Sequence, residues 1–106
     1  MASFIELGVE TPYIKALTEL GINIPTEIQE KTIPILLQDP TDFIGLAQTG
    51  TGKTAAFGLP ILHQIDASEP VVQALILAPT RELAQQIKKQ LFKLTKYIDE
   101  KIFVEA

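Results

Sequence analysis

The stretch AQTGTGKT, Ala47 to Thr54, does more than any other to limit what this chain can fold into. It puts two glycines and a lysine between an apolar run, DFIGLA (Asp42 to Ala47), and a segment from Lys53 to about His63. A glycine-bearing turn at such a junction predicts a buried strand entering and a helix leaving. The chain downstream repeats the pattern. ALILAP (Ala74 to Pro79) and IFVEA (Ile102 to Ala106) are apolar runs of strand length, and Thr80 to about Tyr97 carries Leu83, Ala84, Ile87, Leu91 and Leu94 at helical spacing. Strand, helix, strand, helix, strand predicts an α/β fold: a parallel sheet with flanking helices and right-handed crossovers. Ligands of such sheets sit at the carboxyl ends of the strands, where the loops at Ala47 and Pro79 fall.

Two helices are predicted before this unit. Thr11 as N-cap, Pro12 in the first turn, an apolar stripe of Ile14, Leu17 and Leu20, and Gly21 as a stop mark the first. The second begins at a capping box, Thr26 to Gln29, and runs to about Leu37, with Pro34 predicting a kink or restart.

With 106 residues, 46% of them hydrophobic, the chain suffices for one domain. The absence of cysteine excludes disulfides and thiolate metal sites, and the lone His63 excludes a histidine cluster. A cytoplasmic setting is expected, with no membrane partner. The N-terminus lacks a basic start and apolar core, and no run approaches the roughly 18 apolar residues needed to cross a bilayer. The net charge of −4 is uneven. Residues 1–80 hold three lysines against nine acids, net −6, whereas residues 81–101 hold six cations against three acids, net +3. That basic stretch suits either a solvated helix face or a polyanion.

Between strand and helix, the spacing G-x-x-x-x-G-K-[ST] is a phosphate cradle. Backbone N–H groups converge on the anion and the helix N-terminus adds its dipole. Gly50 and Gly52 let the backbone approach, Lys53 places charge on the terminal phosphates, and the Thr54 hydroxyl can ligate Mg2+. Ala47 stands where the strict pattern has glycine. Gln48, Thr49 and Thr51 complete the loop. Upstream, Gln29 on the first helical turn has two readings. Its amide can accept from the adenine amino group while donating to the ring nitrogen, selecting ATP over GTP, or it can serve as the capping partner of Thr26.

GINIPTEIQ (Gly21 to Gln29) resembles the Q motif of the DEAD-box ATP-dependent RNA helicases, with Phe4 seventeen residues before Gly21, where that family keeps an isolated aromatic. AQTGTGKT is similar to the family's motif I at every position, and APTRELA (Ala78 to Ala84) to motif Ia. Ile22 and Glu27 depart from the commoner residues. The resemblance implies a partial RecA-like domain, with residues 1–40 as its Q-motif region. It implies that Phe4 stacks on the base, that Thr26 and Gln29 read it, and that Ala47 to Thr54 hold the phosphates of ATP with Mg2+. Pro79, Thr80 and Arg81 then meet the RNA backbone without DNA sequence specificity. Thr80 can cap its helix and Arg81 offers a fork for phosphate, the lesser alternative being that Arg81 pairs with a carboxylate. Lys88, Lys89 and Lys93 read as a solvated face.

By comparison with the family, the D-E-A-D carboxylates, the S-A-T motif and the second RecA-like domain with its arginine finger do not occur here. The resemblance therefore covers about the first half of the first domain. Two expectations follow: the 106 residues alone do not hydrolyse ATP, and a sheet cut short exposes edges that invite association. The competing expectations are a stand-alone, non-catalytic nucleotide-binding or interaction module and another kind of P-loop ATPase. The placement of Phe4, Gln29 and PTRELA speaks against the latter.

Overall fold

The computed structural model describes residues 2–39, 41–47 and 52–106. Five helices occur among them: α1 (Phe4–Leu7), α2 (Thr11–Glu19), α3 (Glu27–Gln38), α4 (Lys53–Gln64) and α5 (Arg81–Leu94).

Three of these helices, α1, α3 and α5, begin at a side chain that accepts from one of the first N–H groups. Thr26 Oγ1 accepts from the backbone N–H of Gln29 at 3.4 Å, and Gln29 Oε1 accepts from the N–H of Thr26 at 2.9 Å, closing the expected box on α3. Thr80 caps α5 by accepting from Leu83 N–H at 3.0 Å. At α2 the cap is Glu10 instead of Thr11, and it uses no side chain. Starting one residue early leaves Pro12 in the first turn, where its missing donor costs nothing. The Glu10 N–H goes elsewhere, to Nε2 of His63 on α4 at 3.1 Å. His63 Nδ1 lies 2.6 Å from the Leu59 carbonyl, so this nitrogen carries the proton, and the ring stacks on Tyr13 at 4.5 Å. Burial, with the Glu10 carboxylate adding to it, pushes the Tyr13 phenol above its ordinary value.

Pro34 does not restart the helix in which it lies. α3 is one element, and the residues on either side of the proline, Ile33 and Leu37, both pack into the core. α1 has no counterpart among the expected elements, yet Ser3 and Glu6 form a second capping box with the S-x-x-E spacing.

The core joins all five helices: Phe4 and Leu7 of α1, Tyr13 and Leu17 of α2, Ile33 of α3, Ala55, Leu59 and Leu62 of α4, and Leu91 and Leu94 of α5. α3 packs along α4, and α4 along α5. The second approach depends on Gly58, where a Cβ would lie 2.6 Å from Leu91 Cδ2. The Cα radius of gyration is 13.2 Å, matching the value of about 13 Å usual for a folded domain of this length.

The expected parallel sheet is not formed: the described residues contain no strand, and 42–47, 74–79 and 102–106 all lack ladder bonds. A helix bonds within itself, whereas a strand needs a neighbour in register, and a parallel sheet needs layers on both faces. Here only one face is covered. Ile76, Ile102 and Val104 pack on the helical core, while Leu75, Leu77 and Phe103 between them point away and are exposed.

Candidate nucleotide-binding site

Of the phosphate residues expected from sequence, Gly52, Lys53 and Thr54 stand at the start of α4. Gly52 is the N-cap, at φ 84° and ψ 28°, and no side chain caps the helix. That left-handed conformation is cheap only for glycine. Its carbonyl accepts from Ala56 N–H at 3.2 Å and also from Nε2 of Gln29 at 3.1 Å. Lys53 and Thr54 are the first residues of the helix, Lys53 exposed and Thr54 half-buried. Helix N–H groups open at this end, with a lysine beside them, favour an anion. Ala47 is half-buried at the end of the 42–47 segment. Gln48, Thr49, Gly50 and Thr51 lie outside the described residues.

Gln29 joins this cluster to the N-terminal helices. It is buried, at 1% exposure, and its two readings from sequence are not exclusive. The amide oxygen closes the capping box, and the amide nitrogen crosses 23 residues to Gly52. An amide of this kind has two acceptor lone pairs and two N–H donors, so after these bonds one of each remains. Space is tight. A Cβ on Gly52 would stand 2.4 Å from Gln29 Nε2 and 3.3 Å from Thr26 Oγ1. Nothing in the sequence spacing signals this contact, because it arises only when α3 packs on α4.

Phe4 lies elsewhere in the packing. It is 3% exposed, a member of the core cluster, on a helix that packs against α2 and α3. Glu30 of α3 helps to hold that end of the chain, accepting from Ala2 N–H at 3.2 Å. Pro79, Thr80 and Arg81 are exposed at the start of α5, and no hydrogen bond or ion pair among the described residues ties them to the Gly52 cluster. Arg81 has no carboxylate partner among the described residues. Lys88 and Lys96 do, facing Glu105 at 3.7 Å and Glu19 at 3.0 Å. A cavity of about 630 Å³ lies between the ends of α2 and α5, lined by Leu20, Phe92 and Ile102 among others, and contains none of the candidate nucleotide residues. No group of three metal-ligating side chains occurs among the described residues. No helix there is long and apolar enough to cross a membrane.

Residues 26–105 match the DEAD/DEAH box helicase family. The chain belongs to that family. It is 54% identical over 95 residues to the ATP-dependent RNA helicase CshA of Listeria monocytogenes, covering 90% of this chain and 18% of that protein. To the DEAD-box ATP-dependent RNA helicase CshA of Geobacillus kaustophilus it is 51% identical over 94 residues, covering 89% of this chain and 20% of that protein. The chain thus spans about a fifth of the length of these curated relatives. Its backbone resembles that of Saccharomyces cerevisiae Dbp5 bound to RNA and ADP BeF3, with a TM-score of 0.85 and 38% identity over 92% of this chain and 25% of that one. The RNA helicase Prp28 of Chaetomium thermophilum bound to ADP gives a TM-score of 0.82 at 41% identity over 93% of this chain and 25% of that one. For a DEAD/DEAH box helicase, the junction of Gln29 with Gly52 falls inside the two motifs read from sequence as adenine-selecting and phosphate-binding.

Proposed function

We propose that this chain is the ATP-binding portion of an ATP-dependent RNA helicase, in which ATP binding and hydrolysis drive the opening or remodelling of RNA duplexes. The reading is supported above all by the hydrogen bond from the buried Gln29 amide to the Gly52 carbonyl. It sets a base-reading side chain against the turn that holds the phosphates. In this reading the Gln29 lone pair and N–H left over meet the adenine amino group and ring nitrogen, an edge whose polarity guanine reverses. Thr26 fixes the amide's orientation. The backbone of 47–54 and the α4 N-terminus hold the phosphates, and Lys53 adds a charge that strengthens as negative charge develops.

Thr54 offers a magnesium ion one hydroxyl. That suits Mg2+, which keeps most of its water and binds through nucleotide phosphates, better than a protein cage would. When bound, the ion neutralises phosphate charge. Phe4, enclosed by the core, serves by holding α1 against α3. Thr80 and Arg81 bind the RNA backbone, Arg81 through its exposed guanidinium.

Competition between ATP and GTP for the purified chain tests the assignment. Lys53→Ala should weaken both nucleotides by roughly 10- to 100-fold, the worth of a charge-assisted contact. Gln29→Ala should abolish the preference for ATP. Equal affinity of the unaltered chain for ATP and GTP would favour a generic phosphate loop and defeat the adenine assignment.

A further inference from the structure

His63 is the single histidine of the chain, and the partners of its two ring nitrogens fix the state of both. The Leu59 carbonyl, 2.6 Å from Nδ1, can only accept, so Nδ1 carries a proton. The Glu10 N–H, 3.1 Å from Nε2, can only donate, so Nε2 presents its lone pair. The ring that makes both bonds is neutral. It sits where the start of α2 meets the end of α4: beside the Glu10 bond, the Tyr13 ring stacks on His63 at 4.5 Å, and the Tyr13 hydroxyl donates to the Leu62 carbonyl at 3.4 Å. Glu10 is the residue that caps α2, and it does so without a side-chain hydrogen bond.

We infer that His63 is a proton-operated latch between α2 and α4, closed while the ring is neutral and released when Nε2 takes up a proton. In the imidazolium both nitrogens donate, so Nε2–H confronts the Glu10 N–H, donor to donor, while the bond to the Leu59 carbonyl survives. Glu10 is exposed, and its freed N–H turns to water. The surroundings favour the positive ring. His63 lies in the last turn of α4, where unsatisfied carbonyls attract a cation. A cavity of about 300 Å³ at its side is lined by Glu10, Asp99 and Glu100, with Tyr13 and Tyr97, and by no lysine or arginine. Lys15 and Lys96, over the Tyr97 ring at 4.4 and 5.4 Å, stand outside that lining. Burial raises the Tyr13 phenol and the Glu19 bond raises that of Tyr97, so both stay neutral in acid. The imidazole is then the group of this cluster whose kind changes charge between about pH 5 and 8.

Amide hydrogen exchange and two-dimensional NMR of the whole chain between about pH 8 and 5 test the latch. Protection of the Glu10 amide, taken relative to the intrinsic exchange rate at each pH, should fall roughly two- to tenfold, the worth of one hydrogen bond. Its resonance should move with the same midpoint as the His63 ring protons. The Leu83 amide, held by the Thr80 hydroxyl at 3.0 Å, is likewise an exposed cap bond but has no titrating partner, and should keep its protection. In His63→Gln, whose amide oxygen accepts throughout the range, the Glu10 response should vanish. Should that variant not fold, the two amides of the unaltered chain still decide. Glu10 protection that stays constant through the His63 titration, an equal fall at Leu83, or an undiminished Glu10 response in His63→Gln would each overturn the inference.

Discussion

Substituting Gly52 by alanine should perturb this protein through two separable effects, and the Gln29 amide decides their sum. The first is conformational: at φ 84° an alanine pays about 1–2 kcal/mol to hold the left-handed region. The second is steric. The new Cβ would meet Gln29 Nε2 at 2.4 Å and Cδ at 3.2 Å. The end of a glutamine ordinarily swings aside at little cost. This one is buried and pinned at both ends, by Thr26 N–H at 2.9 Å and the Gly52 carbonyl at 3.1 Å. Displacing it leaves buried polar groups without partners, which costs about 1–3 kcal/mol. The single variant should therefore lose about 2–5 kcal/mol. In a Gln29→Ala background the obstacle is gone, and the same glycine substitution should cost only the backbone term of about 1–2 kcal/mol. Urea unfolding followed by far-ultraviolet circular dichroism, at unchanged m, gives the four stabilities of the cycle. Costs that agree between the two backgrounds to within about 0.5 kcal/mol would refute the contact and, with it, the coupling of the N-terminal helices to the phosphate loop.

Two further outcomes follow from individual side chains. Thr32 lies on α3 at 4% exposure, and its hydroxyl has no partner among the described residues, so Thr32→Val, which keeps the shape, should leave the melting temperature unchanged or raise it; a fall equivalent to more than about 1 kcal/mol would reveal a bonded hydroxyl. The end of α2 is tied to the end of α5 by Glu19, whose carboxylate accepts from the Tyr97 hydroxyl and from Lys96 Nζ at 3.0 Å. These bonds, Tyr97's first, hold the Glu19 carboxyl below its ordinary 4.5, and the same Glu19 bond raises the Tyr97 phenol above its ordinary 10.0. A depressed carboxyl stabilises above its unfolded value and ceases to as pH falls through the folded one; a raised phenol stabilises below its unfolded value and ceases to as pH rises through the folded one. The link should thus contribute across the window between 4.5 and 10.0 and weaken on both sides. Solvent exposure keeps the effect small. Tyr97→Phe should flatten both limbs of a stability-versus-pH curve, and limbs unchanged in that variant would contradict the assignment.

The local chemistry written into the chain determined its helices and its family. The capping boxes at Thr26 and Ser3, the cap at Thr80 and the apolar spacing of α2 and α5 each act within a few residues, so they can be read without knowing the rest. α1 is as local as the others, marked by the S-x-x-E spacing of Ser3 and Glu6. The phosphate motif was legible for the same reason, as a run of eight consecutive residues.

What needed tertiary structure is everything that joins distant residues. The N–H of the α2 cap residue, Glu10, bonds to a histidine 53 positions away, and the Gln29 amide bonds to a carbonyl 23 positions away. Phe4, read as a base-stacking ring, is enclosed because α1 packs on α2 and α3. The apolar runs 42–47, 74–79 and 102–106 carry the composition of strands, yet composition cannot supply a ladder: an extended segment's hydrogen bonds belong to its neighbours, whereas a helix closes its own every four residues.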